Sequence, residues 1–130
     1  MKADQPILRV IPKPGDINSN GHIFGGWVLS QMDSAGGIVA GRMAQGRTAT
    51  VAIESMEFLA PILLSDIISV YASVERRGRT SIAIRLDVVA TRDRGAVDVK
   101  VTSGVFTFVA LDDDFRPRAL PPEDAVLTSQ

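Results

Sequence analysis

The sequence predicts an α+β domain in which a curved antiparallel sheet wraps around one central helix. Three observations carry this expectation. Helical periodicity occurs once, from about Gly26 to Ala44. The segments after it, as far as Leu111, read as β-strands, most of them alternating at a period of two. Turn formers stand between the strands where hairpins need them, at Arg77-Gly78-Arg79 and Asp93-Arg94-Gly95. One helix cannot cover both faces of so large a sheet, but it can fill the concave side of a curved one.

The elements follow in order. Leu8 to Ile11 is a short apolar run ended by Pro12 and Pro14, and reads as a strand. Gly15 to Gly21 is dense in turn formers and reads as a loop. In the helix, Val28, Met32, Ala35, Val39 and Met43 recur at helical spacing, and Gly46 follows as a stop signal. The adjacent stripe carries Gly26, Ser30, Asp33, Gly37 and Ala40, small residues around one carboxylate. Thr48 to Phe58 is rich in β-branched and apolar residues. Ile68, Val70, Ala72 and Val74 alternate with Ser69, Tyr71, Ser73 and Glu75. Ile82, Ile84, Leu86 and Val88 alternate with Ala83, Arg85, Asp87 and Val89. In Val99 to Leu111, Val101, Val105 and Val109 fall on one side, Phe106 and Phe108 on the other. Asp112-Asp113-Asp114 ends that strand, and the tail from about Arg116, with Pro117, Pro121 and Pro122, reads as irregular. Several strands are less polar than solvent-facing strands should be, which points to edges and faces completed by a second subunit.

The 130 residues suffice for one domain, residues 1–130, with no repeat and no linker. A net charge of −1 without a basic stripe gives no reason to expect nucleic acid. No apolar run approaches the ~20 residues of a membrane helix, and no apolar signal core follows Lys2. The absence of cysteine excludes disulfides and thiolate chemistry and fits a reducing compartment, so the expected location is the cytoplasm. One histidine, no cysteine and no EF-hand spacing argue against a metal site. Gly25-Gly26 satisfies neither a phosphate loop nor a dinucleotide fingerprint.

The chemistry concentrates in Asn18-Ser19-Asn20-Gly21-His22-Ile23-Phe24-Gly25-Gly26-Trp27 and in Ser30-Gln31-Met32-Asp33. Free backbone N–H groups at a helix start attract negative charge, and glycines let a ligand approach closely. Such a start suits the oxyanion formed when a thioester carbonyl is attacked. Asp33 lies about two turns further in and is expected to be costly to bury without a partner. It could act as a general base for water or as a nucleophile. The plainer alternatives are packing geometry for the glycine pair, a hydrogen-bonded structural carboxylate for Asp33, an exposed loop histidine for His22 and a turn residue for Asn18.

Gly21 to Asp33 (Gly-His-Ile-Phe-Gly-Gly-Trp-Val-Leu-Ser-Gln-Met-Asp) resembles the YciA-type acyl-CoA thioesterases, relatives of the brain acyl-CoA hydrolases. So do Thr50 to Phe58 with Pro61-Ile62, Gly78 to Ile82, and Val105 to Ala110. The resemblance runs from about Val10 to Pro121. It implies a hotdog fold, hydrolysis of acyl-CoA to free acid and CoA, and no metal. It also implies no cofactor beyond the coenzyme A carried by substrate and product. The site is expected between subunits of a homo-oligomer, at least a dimer and commonly a trimer of dimers.

By the same resemblance the catalytic aspartate falls on Asp33 and the backbone oxyanion donor on Gly26. Related phenylacetyl-CoA-type enzymes place an important asparagine where Asn18 stands. His22 is a departure, since YciA-type sequences often carry Asp there; pointing into the site, it would polarise the carbonyl or orient water. Arg76, Arg77 and Arg79 around Gly78 become candidates for the CoA phosphates, with Thr80 and Ser81 as hydrogen-bond donors. Gly25 opens the helix, while Phe24, Trp27, Met56 and Phe58 become candidate walls of an acyl tunnel. An acyl thioester dehydratase, using a histidine and a carboxylate, and a non-catalytic acyl-CoA-binding module are the alternatives on this fold.

Overall fold

The computed structural model describes residues 5–123. Its elements are β1 (Leu8–Val10), α1 (Gly25–Ala44), β2 (Thr48–Phe58), β3 (Ile67–Arg77), β4 (Ser81–Arg92) and β5 (Val97–Ala110), with single 3₁₀ turns at Pro14–Asp16 and Asp93–Gly95. The strands form one antiparallel sheet in the order β1-β3-β4-β5-β2. α1 packs across β2, β3, β4 and β5, so the α+β hotdog arrangement is present. β3–β4 and β4–β5 are hairpins, with Ile84 opposite both Val74 and Phe106. The residues expected to alternate inward do so: Ile68, Val70, Ala72, Ile82, Ile84, Leu86, Val88, Phe106 and Phe108 are buried in the core with Val28, Met32, Ala35 and Val39.

Helix and sheet meet at small residues. A Cβ added at Gly36 would lie 2.7 Å from Phe108 Cζ and 3.2 Å from Leu86 Cδ1. Phe108 is itself buried between helix and sheet and has nowhere to retreat. Gly36→Ala should therefore lower stability by about 1–3 kcal/mol through overpacking, against a helix-propensity gain of about 1 kcal/mol. Gly37, one residue on, meets nothing within 4 Å. Gly37→Ala should keep the propensity gain, and paired denaturant titrations of the two variants check the contrast.

Gly46 stops the helix for a reason other than the one expected. The left-handed cap residue is Gln45, at φ 53°. Gly46 instead provides clearance, since a Cβ there would stand 2.8 Å from Arg118 Nη2. That nitrogen donates to the Ala44 carbonyl at 2.8 Å, and Arg118 Nε donates to the Leu111 carbonyl at 2.9 Å. A cation on the last carbonyls complements the helix dipole. The tail is irregular as far as Pro122, yet held: Leu111 bridges Pro117, and Leu120 N–H donates to the Arg79 carbonyl at 2.8 Å; residues 124–130 lie outside the described residues.

β2 is an eleven-residue edge strand, paired on one side only, to β5. Val51 and Phe58 are each 58 % exposed and Ile53 46 %. Natural sheets seldom leave so long an apolar edge open to water. The strand is bulged: Ser55 and Met56 together oppose Gly104, with Ser55 at φ 56°. Gly104 makes this possible, because a Cβ there would overlap Met56 Sδ.

Candidate active site

α1 begins without a side-chain cap. Its N-cap is Phe24, and the first internal bonds run from Trp27 N–H (3.1 Å) and Val28 N–H (3.4 Å) to the Phe24 carbonyl. The N–H groups of Gly25 and Gly26 precede any helical partner and make no bond among the described residues. Both glycines are exposed, and nothing stands within 4 Å of a Cβ built at Gly26. The start of α1 is therefore an open pair of donors at the positive end of a helix.

The loop before it is built on Asn18. Its Oδ1 accepts from Asn20 N–H at 2.9 Å and from His22 N–H at 3.1 Å. Its backbone N–H donates to the His22 carbonyl at 2.7 Å, and Gly21, at φ 81°, closes the turn. Two N–H donors require the amide oxygen on that side, so the Asn18 Nδ2 donor points the other way. His22 and Asn18 line a cleft of about 320 Å³ with Ile23, Gly25, Val28 and Phe58. Leu59 to Ile62 and Thr102 complete its wall. Ile23 N–H donates to the Ile62 carbonyl at 3.0 Å, tying the helix start to that wall.

Asp33 differs from expectation. It is exposed in the subunit, although Ala40 on the same stripe is buried in the core. Thr50 on β2 donates its hydroxyl to Asp33 Oδ1 at 2.5 Å, a short charge-assisted bond that sets the carboxylate's orientation. Asp33 does not line the cleft. Thr50 was not singled out from the sequence, since no spacing joins residues 17 apart on a strand and a helix.

The remaining candidates divide between two places. Phe58 stacks over the glycine start, 3.5 Å from a Cβ built at Gly25, and Trp27 packs half-buried against the core. Met56 sits over Gly104 beside Met32. The β3–β4 turn lies instead at the Thr50 end of the sheet: Thr80 carbonyl accepts from Ala110 N–H at 2.9 Å, and Thr48 and Ser81 flank that end of β5. There Gly78 N–H donates to the Ser81 carbonyl at 2.8 Å. Two of the three arginines proposed for phosphates are engaged. Arg76 pairs with Glu54 at 3.1 Å, and Arg77 is turned to the Pro121 carbonyl of the tail. The tail crosses the turn, so an arginine at 77 meets a carbonyl before it meets solvent. Arg79 is exposed and its guanidinium makes no bond among the described residues. Among the described residues no three His, Asp or Glu side chains converge as a metal site, and no helix is long and apolar enough to cross a membrane.

This geometry has close counterparts. The family model of the thioesterase superfamily matches residues 20–97. The acyl-CoA thioester hydrolase YciA of Escherichia coli is 43 % identical over 121 residues, covering 90 % of this chain and 91 % of that protein. A hexameric thioesterase of Yersinia pestis superposes with a TM-score of 0.87 at 40 % identity, over 94 % of this chain and 99 % of the other. An acyl-CoA hydrolase of Staphylococcus aureus, solved with butyryl coenzyme A and coenzyme A, superposes at 0.81 with 27 % identity, over 88 % and 70 %. The matched span holds His22, the uncapped glycine start, Asp33 and the Asp33–Thr50 bond, and on fold and sequence together the chain belongs to the thioesterase superfamily.

Proposed function

We propose that this chain is an acyl-CoA thioester hydrolase whose working site is shared between two subunits, Asp33 coming from one and the Gly26 N–H from the other. The observation that carries the shared site is a separation. Gly26 and Asp33 lie on the same helix face about 10 Å apart along the axis, at about 1.5 Å per residue. A carbonyl held about 3 Å from the oxyanion donor is then remote from the carboxylate of its own chain. The β2 edge resolves this. Its Phe58 end lies against Gly25 and its Thr50 end against Asp33. Antiparallel pairing of β2 with a second β2 is isologous and reverses the ends. The partner's glycine start then faces this chain's Asp33 and Thr50. The same dimer, repeated three times, gives the hexamer expected from the relatives.

In this site the thioester oxygen accepts from the Gly26 N–H, with Asn18 and His22 as further polar groups at the mouth of the cleft. Asp33, oriented by Thr50, removes a proton from water as the water oxygen bonds to the carbonyl carbon. The tetrahedral oxyanion collapses, the C–S bond breaks, and the proton passes from Asp33 to the CoA sulfur. The products are the free acid and CoA, and no further cofactor takes part. Direct attack by Asp33 would instead expel CoA and leave a mixed anhydride, and hydrolysis of that anhydride at the Asp33 carbonyl would place ¹⁸O from labelled water in Asp33 itself. Because CoA thioesters are intracellular, the cytoplasm is the proposed location.

Thiol release over a panel of acyl-CoAs, run beside hydration of an enoyl thioester, tests the reading. Release without hydration is expected. Hydration without release would make the protein a dehydratase, and binding with the thioester left intact would make it a binding module. Arg79 is an exposed cation without a bond among the described residues, on the turn at the Thr50 end of the sheet, so Arg79→Glu should raise KM for CoA thioesters about tenfold or more. The effect should shrink in high salt and be absent on acyl thioesters lacking the nucleotide. Equal loss on both substrates would assign Arg79 to the turn alone.

A further inference from the structure

The Leu59–Asp66 segment has neither helix nor strand, yet it forms one wall of the cleft. Leu59 and Ala60 N–H donate to the Val101 carbonyl at 2.8 and 3.3 Å; beyond them no ladder of backbone bonds continues, and the segment is held by an ion pair with one buried partner. Asp66 is fully buried. Its Oδ1 accepts from Arg92 Nε at 2.8 Å, and its Oδ2 accepts from Arg92 Nη2 at 3.0 Å and from Leu63 N–H at 2.8 Å. Arg92, the last residue of β4, also donates from Nη2 to the Pro61 carbonyl at 2.6 Å. One guanidinium thus grips the segment at Pro61 and at Asp66, and Asp66 grips it again at Leu63. Between these anchors lies Ile62, whose carbonyl holds Ile23 N–H. Ile23 follows His22 directly and stands two residues before Gly25.

We infer that Arg92 and Asp66 are positioning residues for the hydrolysis: through Pro61, Ile62 and Ile23 they set where His22 and the free N–H groups of Gly25 and Gly26 meet the thioester. The inference rests on the reading of this cleft as the thioester site. A fork-shaped cation suits the role because one rigid plane reaches two carboxylate oxygens and a carbonyl together, which a lysine ammonium on a flexible stem does not reproduce. Displacing catalytic donors by about 1 Å is enough to cost up to ~10²-fold in rate, whereas substrate affinity drawn from the CoA moiety elsewhere is untouched.

Two variants test it. Arg92→Lys keeps a charge for Asp66 but loses the simultaneous hold on Pro61. Asp66→Leu combined with Arg92→Met replaces the pair by apolar volume, a change that buried ion pairs tolerate in stability. Both should assemble as wild type, keep KM for acyl-CoA within roughly twofold, and lose kcat about tenfold or more per intact subunit. His22 is the only histidine, so its imidazole NMR signals need no assignment and should shift in both variants. Ile84→Val, buried in the core away from the cleft, should lower Tm with kcat and the His22 signals unchanged. Wild-type kcat with unmoved His22 signals in either folded variant would overturn the inference, and Arg92→Lys decides alone where the double variant does not fold. Should the wild type release no thiol, the functional reading fails, and the His22 signals still report whether the clamp positions the helix start.

Discussion

Asp33→Asn should reduce kcat at least ~10²-fold while leaving acyl-CoA binding largely intact, the range expected for loss of a general base. The substitution is close to isosteric. An asparagine oxygen can still accept from the Thr50 hydroxyl, so the 2.5 Å contact between helix and edge strand has a replacement and the fold keeps its shape. What disappears is the second carboxylate oxygen, the one free to take a proton from water. Thiol release under saturating substrate measures the loss, and binding of a non-hydrolysable CoA thioether checks that the site still fills. Near-normal turnover in a folded, assembled Asp33→Asn protein would end the assignment. The shared site adds a sharper test. Gly26→Pro removes the N–H at a helical position that tolerates proline. Each single variant should be nearly inactive. Mixed oligomers of the two should regain activity, because one of the two sites in a mixed dimer then joins a native Asp33 to a native Gly26. No gain on mixing would confine the site to one chain.

Arg92→Met should produce the largest stability loss, about 3–5 kcal/mol, because it strands the Asp66 carboxylate with no exposure and without its cation. Leu63 N–H alone would remain on that carboxylate. Adding Asp66→Leu should recover most of the loss, since the uncompensated charge, more than the missing contact, carries the cost. Chemical denaturation of the single and double variants at equal protein concentration gives the comparison. The hydrogen bond to Asp66 raises the Arg92 guanidinium above its usual value, with burial opposing and the Asp66 charge assisting. A folded-state value above the unfolded one means the contribution is complete at and below the unfolded value and is lost only as pH climbs through the raised one. Stability owed to this cation should therefore be flat through neutral pH and fall only on the far alkaline side.

Much of the architecture was readable because its patterns are strong. A period of 3.6 over α1 and of two over β3 and β4 leaves little choice, and the glycine pair marks the helix start to within one residue. Strand order was not readable. That β2 lies at the edge beside β5, with its apolar residues open, depends on pairings between residues 44 to 62 apart. Asp33 illustrates the consequence. Read along the helix it is a carboxylate among small and apolar neighbours, suggesting burial, whereas in the fold it lies in the open, bonded to Thr50 on the edge strand. Arg77 illustrates another. On a hairpin it reads as a solvent-facing cation, but a tail more than forty residues later offers it a carbonyl. The Asp66–Arg92 pair gave no signal, because opposite charges at that separation recur throughout any chain and only the folded loop brings them together.

The exposed edge of β2 joins two quantities that are separate in a monomeric enzyme. In the proposed dimer, the contact that would cover the exposed Val51, Ile53 and Phe58 is the same one that would bring Asp33 to a second glycine start. Assembly then contributes to folding by mass action, so the midpoint of thermal unfolding climbs with protein concentration. Specific activity should fall on dilution in parallel. On the shared-site proposal, a newly made chain that has not yet met its copy is both fragile and silent.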